Sequence, residues 1–540
     1  MQIVLLLAAA IACVNAAPAW TIGQEVKTSS GAVKGRAATR PGFSDVSEYV
    51  GIPYAAPPVG DLRWMPPKSF TAAGPIDATK WKDDCSVGLS SGGTASGGIG
   101  SSPLLAAYGG GMGGGNHTFS EDCLGLNIWT KPQTGEKAKA VLLWVHGGAF
   151  STGTPHATYM DGSRFAEEQD VILVSISYRI NIMGFPDAPG IPAQNLGLHD
   201  LRLALEWVRD NIANFGGDPK RITIFGESAG GAAVDLYSYG WAGAKDPIIN
   251  GIIAQSGSAG TRAGGQAKVP NKAWYDVSQK IGCGGLEAGE KTVACMRGKS
   301  AVDIEKIIGS MSAGMGLGAS PFGPVSDGKT VFADVADRGA KGNFIKVPLV
   351  IGNTDHEAGL TDAFMAAAGV KAPAGAAPKS GPGSNLPPGV AEMLPKDLTP
   401  RQIADSMSSC ASAKASEYRV KAGVPAWRFR YMGVWDNTNV GPDAGAYHSS
   451  DVPFVFGTTE LRSDKIKDSP EEAKAVKATM TAWATFAKDP VNGLVGLGWP
   501  KYDAANTLVR IAYNNQSALN VAPAATYDVV CKAINSIAGS

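Results

Sequence analysis

Short apolar, β-branched runs recur along this chain at residues 141–145, 171–176, 221–225, 251–254 and 347–351, each bounded by Gly, Asn or Ser. Runs of this length and composition suit parallel strands buried on both faces. A further run at 426–431 reads the same way. Between them, stretches such as 200–212 place Leu201, Leu205 and Val208 on one helical face, and Trp207 beside them reads as core. The alternation predicts an α/β fold with a mostly parallel central sheet and helices on both faces. Functional side chains in such a sheet belong just past the C-terminal ends of strands.

The N-terminus breaks this pattern. An apolar stretch at 3–12 leads into Val14-Asn15-Ala16, which presents small residues where a signal peptidase cuts. Residues 1–16 therefore read as a signal peptide, although they carry no Lys or Arg, and 17–540 as one α/β domain. No other stretch approaches the length of apolar chain needed to span a bilayer, so the mature protein is expected to be soluble and secreted.

Composition sharpens the picture in three places. Lys and Arg number 48, as do Asp and Glu, which removes the electrostatic footprint of a nucleic-acid binder and points to a small or neutral partner. Once Cys13 leaves with the signal, Cys85, Cys123, Cys283, Cys295, Cys410 and Cys531 form an even set that suits an oxidising compartment. Nearness along the chain pairs Cys85 with Cys123 and Cys283 with Cys295, leaving Cys410 with Cys531. Asn116-His117-Thr118 and Asn515-Gln516-Ser517 are glycosylation sequons. Finally, residues 86–120 contain no Asp, Glu, Lys or Arg, are dense in Gly and Ser, and carry one apolar cluster, Leu104 to Tyr108. That segment cannot bury a core of its own, and with both ends pinned by a Cys85–Cys123 bridge it reads as a mobile lid. A second Ala/Pro/Gly-rich segment, 366–388, reads as a plain loop.

The candidate chemistry lies at the strand ends. After the run 221–225 comes Gly226-Glu227-Ser228-Ala229-Gly230, a strand breaking into a helix with a serine at the turn. The pattern G-x-S-x-G is weak alone, and Gly88-Leu89-Ser90-Ser91-Gly92 also fits it, but only Ser228 has a strand before it and a helix after it. A nucleophilic serine needs a base and an orienting acid, which on this type of sheet follow in the order serine, acid, histidine. Two of the six histidines follow Ser228, and His448, in a Gly-rich loop after the run 426–431, is better placed than His356. For the acid, Asp355 and Glu357 both lie past the run 347–351 and are not separated by their chemistry. Small residues in His146-Gly147-Gly148-Ala149-Phe150, after the run 141–145, let successive N–H groups face one point, as an oxyanion hole requires.

These motifs together resemble the type B carboxylesterase/lipase family of the α/β-hydrolase fold, most closely its fungal secreted members. The likeness extends over nearly the whole mature chain. It is carried by Gly51-Ile52-Pro53-Tyr54, Glu121-Asp122-Cys123-Leu124, the stretch 146–150, Ser177-Tyr178-Arg179, Asn195-Leu196-Gly197-Leu198-His199-Asp200 and Phe215-Gly216-Gly217-Asp218-Pro219. The resemblance implies a Ser228, Glu357, His448 triad, which decides the acid, although the family's Asp-Glu-Gly motif reads His356-Glu357-Ala358 here. It also implies oxyanion donors at Gly148, Ala149 and Ala229, long loop insertions forming a lid, the pairings Cys85–Cys123 and Cys283–Cys295, and buried ion pairs Arg63–Glu121 and Arg179–Asp200. The expected activity is hydrolysis of a small-molecule carboxylic ester, without metal or cofactor. A lid-gated lipase or sterol esterase is the nearest alternative, and a non-catalytic adhesion-type binding protein the alternative of another class. A cholinesterase is disfavoured, because residues 86–120 offer Tyr108 and Phe119 but no Trp to hold a choline cation. If the signal reading holds, mass spectrometry of the secreted protein finds Ala17 as its first residue; an N-terminus still carrying residues 3–12 would refute it.

Overall fold

The apolar runs form strands that lie at the centre of an 11-stranded sheet. The structure is a computed structural model that describes residues 20–85, 118–262, 269–312, 320–367, 400–441, 443–463, 465–503 and 507–531. The expected signal peptide, the Asn116 sequon, the segment 86–117 read as a lid and residues 368–388 lie outside the described residues.

Along the chain come β1 (Glu25–Thr28), β2 (Gly31–Lys34), β3 (Arg36–Ala37), β4 (Ser47–Pro53) and β5 (Ile76–Asp77). Next are β6 (Gly125–Thr130), β7 (Lys139–Val145), β8 (Ile172–Ile176), β9 (Gly217–Glu227) and β10 (Gly251–Gln255). Last are β11 (Leu349–Thr354), β12 (Ala426–Tyr431), β13 (Thr507–Ile511) and β14 (Val521–Pro523). The large sheet runs β14-β13-β12-β11-β10-β9-β7-β8-β6-β4-β3, and β1, β2 and β5 form a separate small one. From β8 to β13 the pairings are parallel, while β6, β4, β3 and β14 are antiparallel additions toward the edges. The mostly parallel α/β sheet expected from the sequence is therefore present.

Several boundaries differ from the sequence reading: β7, expected at 141–145, starts at Lys139, and β9, expected at 221–225, extends over Gly217–Glu227. The strand expected at 347–351 is β11, Leu349–Thr354, because Pro348 has no N–H to give a ladder and pairing begins after it. The helix expected at 200–212 is Leu196–Asn211, starting after Asn195, whose φ of 52° ends the preceding loop. The loop expected at 366–388 begins inside the helix Gly359–Ala367.

Because side chains alternate along a strand, β7 feeds two cores at once. Val141, Leu143 and Val145 join Leu201, Leu205 and Ala232 on one face of the sheet. Leu142 and Trp144 join Val476, Met480 and Trp483 of the helix Pro470–Lys488 on the other. A third cluster, around Trp64, Ile182 and Trp274, sits beside the first. The bridges Cys85–Cys123, Cys283–Cys295 and Cys410–Cys531 are all formed. Arg63 meets Glu121 at 2.5 Å and Arg179 meets Asp200 at 2.7 Å, the two ion pairs the resemblance implies. At the second sequon the Asn515 carboxamide is engaged at both ends: its Nδ2 donates to Val434 O (2.6 Å) and its Oδ1 accepts from Val434 N (2.9 Å).

One further pair fixes the helix that follows the candidate nucleophile. Arg419, on the helix Pro400–Lys421, donates to Asp235 Oδ1 at 2.8 Å and to Ser238 Oγ at 2.8 Å, and both carboxylate and guanidinium are fully buried. Asp235 Oδ2 also accepts from Ala259 N at 2.8 Å. Removing one member of such a pair leaves a buried charge without a partner, so Asp235→Ala is expected to lower the free energy of unfolding by about 3–5 kcal/mol. Urea titration checks this; an unchanged midpoint would contradict it.

Candidate active site

β9 lies between β7 and β10, with Gly226 opposite Val145 and Glu227 opposite Gln255. Immediately after it Ser228 adopts φ 57° and ψ −120°, a conformation that strains an L residue and turns the chain into the helix Ala229–Gly240. The turn is held from outside and inside. Ser228 N donates to Gln255 O at 2.8 Å, and Ser228 O accepts from Ala232 N at 2.9 Å. The small residues are a steric requirement here: a Cβ on Gly230 would lie 2.0 Å from Val145 O, and one on Gly257 would lie 2.0 Å from Ser228 O.

The end of β7 is pressed against this turn. A Cβ on Gly147 would come within 3.1 Å of Ser228 Cβ. Beyond it Gly148, Ala149 and Phe150 all have left-handed backbones, with φ of 108°, 55° and 60°, and Gly148 O accepts from Ser151 N and Thr152 N. The N–H groups of Gly148, Ala149 and Ala229 donate to no acceptor among the described residues. His146, which opens the stretch, stacks on Tyr178 with ring centroids 4.5 Å apart, while the Tyr178 hydroxyl donates to His146 O. Burial pulls the His146 imidazole down to about 4, so it stays neutral and packs as a wall.

The two carboxylates left open by chemistry alone have separate partners. Asp355 accepts from Arg430 Nε of β12 at 2.6 Å. Glu357 Oε2 lies 2.5 Å from His448 Nδ1, and its Oε1 accepts from Ser256 Oγ (2.8 Å) and Thr354 N (2.9 Å). The acid and histidine loops meet through His356 N and Ala446 O at 2.9 Å. Burial would raise the Glu357 carboxyl, but the His448 charge and these hydrogen bonds outweigh it and hold it below its ordinary value.

The other imidazole nitrogen, His448 Nε2, lies 3.2 Å from Glu227 Oε1, on the residue preceding Ser228. No hydrogen bond joins Ser228 Oγ to His448. The structure thus brings Glu357 and His448 together directly and sets the imidazole at the Ser228 turn. Glu227 was not singled out by the sequence, nor was Asp451. Ser449 Oγ donates to Glu227 Oε1 at 2.5 Å, and Asp451 Oδ2 accepts from Gln255 Nε2 at 2.8 Å. Gln255 Oε1 in turn accepts from Trp483 Nε1 at 3.1 Å. The signal was in plain view, since Glu227 is the variable position of the G-x-S-x-G motif and Asp451 lies three residues after His448. Burial pushes the Glu227 carboxyl up, and Asp451 up to about 6. Burial disfavours charge on His448 too, but the neighbouring Glu227 and Glu357 carboxylates prevail and hold the imidazole well above its ordinary value.

A hydroxyl on a strained turn, an imidazole tied to a buried carboxylate and N–H donors left without acceptors at strand ends are the parts with which a carbonyl carbon can be attacked and the resulting oxyanion stabilised. Comparison with known proteins gives this arrangement a family. The profile of the carboxylesterase family matches residues 23–374 and 396–528. Secreted lipase 5 of Gibberella zeae is 33% identical over 501 residues, covering 87% of each chain. Chlorogenic acid esterase of Aspergillus niger is 32% identical over 484 residues, covering 88% of this chain and 84% of its own. Fumonisin B1 esterase of Sphingopyxis macrogoltabida is 31% identical over 510 residues, again 88% and 84%. With a family match over most of its length and esterases among its relatives, the chain belongs to the carboxylesterase family and is a carboxylic-ester hydrolase.

Proposed function

We propose that this hydrolase works through an acyl-enzyme on Ser228, with His448 as base, Glu357 as the acid that orients it, and Gly148, Ala149 and Ala229 as oxyanion donors. The observation that carries the reading is the 2.5 Å Glu357–His448 contact on an imidazole whose far nitrogen reaches the residue before Ser228. Ser228 Oγ attacks the ester carbonyl as its proton passes to His448 Nε2. The carbonyl oxygen takes the negative charge and is met by the three N–H groups. Collapse breaks the bond to the alkoxy oxygen, which leaves as the alcohol with the proton from His448. Water then adds to the acyl carbon by the same route, releasing the carboxylic acid. Hydrogen bonds of this kind are often open in a free enzyme and close on the substrate, which accounts for the unmade Ser228–His448 bond.

The enzyme is further proposed to be a single domain, secreted after loss of residues 1–16 and glycosylated at its sequons. Three disulfides and kinship with a secreted lipase support export. That same relative supports a second reading, a lipase acting on long acyl chains at an interface. A profile of rate against acyl length, with and without emulsion, separates the two.

Ser228→Ala is expected to cut kcat on a soluble aryl ester by roughly 10⁴- to 10⁶-fold and to abolish stoichiometric organophosphate labelling. Turnover near that of the parent would end the proposal. Glu227→Gln tests the proton network. It keeps an acceptor for Ser449 but removes the charge that holds the His448 pKa up, so the base form of His448 persists to lower pH. The acid limb of kcat/KM is expected to move toward lower pH; a limb that stays in place or moves up would show that Glu227 does not govern the base.

A further inference from the structure

The oxyanion stretch is held in an unfavourable shape. Ala149 and Phe150 have left-handed backbones, which such residues keep only when their surroundings dictate the conformation. From outside the turn, Asn181 N donates to Phe150 O at 2.6 Å. Asn181 is itself left-handed, with φ 54°, and buried. Its side chain is clamped at both ends: Nδ2 donates to Glu305 Oε2 at 2.9 Å, and Oδ1 accepts from Ser320 Oγ at 2.8 Å.

Glu305 is the unexpected member. It lies on the helix Ala301–Ser312, beside Ile304 and Ile308 of the third apolar cluster, and is only 3% exposed. Its second oxygen, Oε1, is buried without a hydrogen-bond partner among the described residues. A carboxyl group in such a place is costly, and a leucine would pack there with no polar atom to satisfy. Burial pushes it up to about 8 against the pull of the Asn181 bond, and the nearby Glu121 charge, itself paired with Arg63, adds to the rise. At neutral pH the group is therefore an uncharged acid, for which glutamine is the close mimic.

We propose that Glu305 and Asn181 are positioning residues for the oxyanion hole. Glu305 fixes the Asn181 side chain, Asn181 in its left-handed backbone fixes the carbonyl of Phe150, and the N–H groups of Gly148 and Ala149 are thereby held on the point where the oxyanion develops. Neither residue touches substrate. The inference rests on the reading of Gly148 and Ala149 as oxyanion donors.

The experiment is steady-state kinetics on a soluble aryl ester, expressed per active site titrated with an organophosphate so that misfolded protein is not counted. Loosening donors from a distance can cost about a hundredfold, so Glu305→Leu is expected to lower kcat about ten- to hundredfold with KM nearly unchanged. Glu305→Gln is expected to restore kcat to within about threefold of the parent. Asn181→Gly keeps the left-handed backbone accessible and removes only the clamp, so it reads the same effect if Glu305→Leu fails to fold, and a fall in kcat is expected again. A trifluoromethyl ketone, which forms the oxyanion on the enzyme, is expected to lose affinity in step with kcat, while a ground-state alcohol inhibitor does not. Unchanged kcat per site in Glu305→Leu or, failing that, in Asn181→Gly would overturn the inference while organophosphate labelling persists. Absence of labelling in the parent itself would instead remove the serine mechanism, and this inference with it.

Discussion

Ser228 sits at φ 57° and ψ −120°, where an L residue stays only under compulsion, and the surrounding structure supplies that compulsion. β9 enters from the middle of the sheet, β7 and β10 hold it on either side, and Gly230 and Gly257 let their neighbours' carbonyls approach where no side chain fits. The rest of the site is arranged around that one turn. The end of β7 brings the stretch 146–150 to it, and β11 and β12 lead into the loops that bring Glu357 and His448. A sheet of buried parallel strands is what allows five separate segments to end at one place.

Charge at this place is managed collectively. His448 has one carboxylate on each ring nitrogen, and the two are not equivalent. Glu357 is satisfied by Ser256, Thr354 and the imidazole, so it is held as an anion. Glu227 is buried with fewer donors and resists ionisation. The imidazole is therefore anchored firmly on one side and engaged by a weaker, more protonatable acid on the other. Such an asymmetry suits the proton exchange proposed for His448.

What could be read from the chain depended on the range of the physics involved. Short-range signals held well: the apolar runs of β7, β8, β9, β10 and β12 are strands, and the glycines after β7 and β9 mark close approaches. The β11 boundary was misplaced by two residues at its start because the pattern of apolar side chains ignores the missing N–H of Pro348. β13 and β14 were not anticipated, since Arg510 interrupts the apolar pattern of β13 and β14 is a three-residue strand at the edge of the sheet. Chemistry between distant residues was legible only through the family resemblance, not from the residues themselves. Asp355 and Glu357 are equivalent on paper, and it is Arg430 that claims the first and leaves the second to His448. In the same way Asn181 and Glu305 are 124 positions apart and carry no motif.

The Cys410–Cys531 bridge closes a ring of chain that contains His448 but neither Ser228 nor Glu357. His448 thus lies inside a covalent ring, whereas Ser228 and Glu357 lie outside all three bridges. Cutting that tether would remove the covalent limit on the unfolded freedom of the chain that carries the histidine. A thiol-rich surrounding would therefore act first on the segment that carries the imidazole, a constraint that an oxidising compartment preserves.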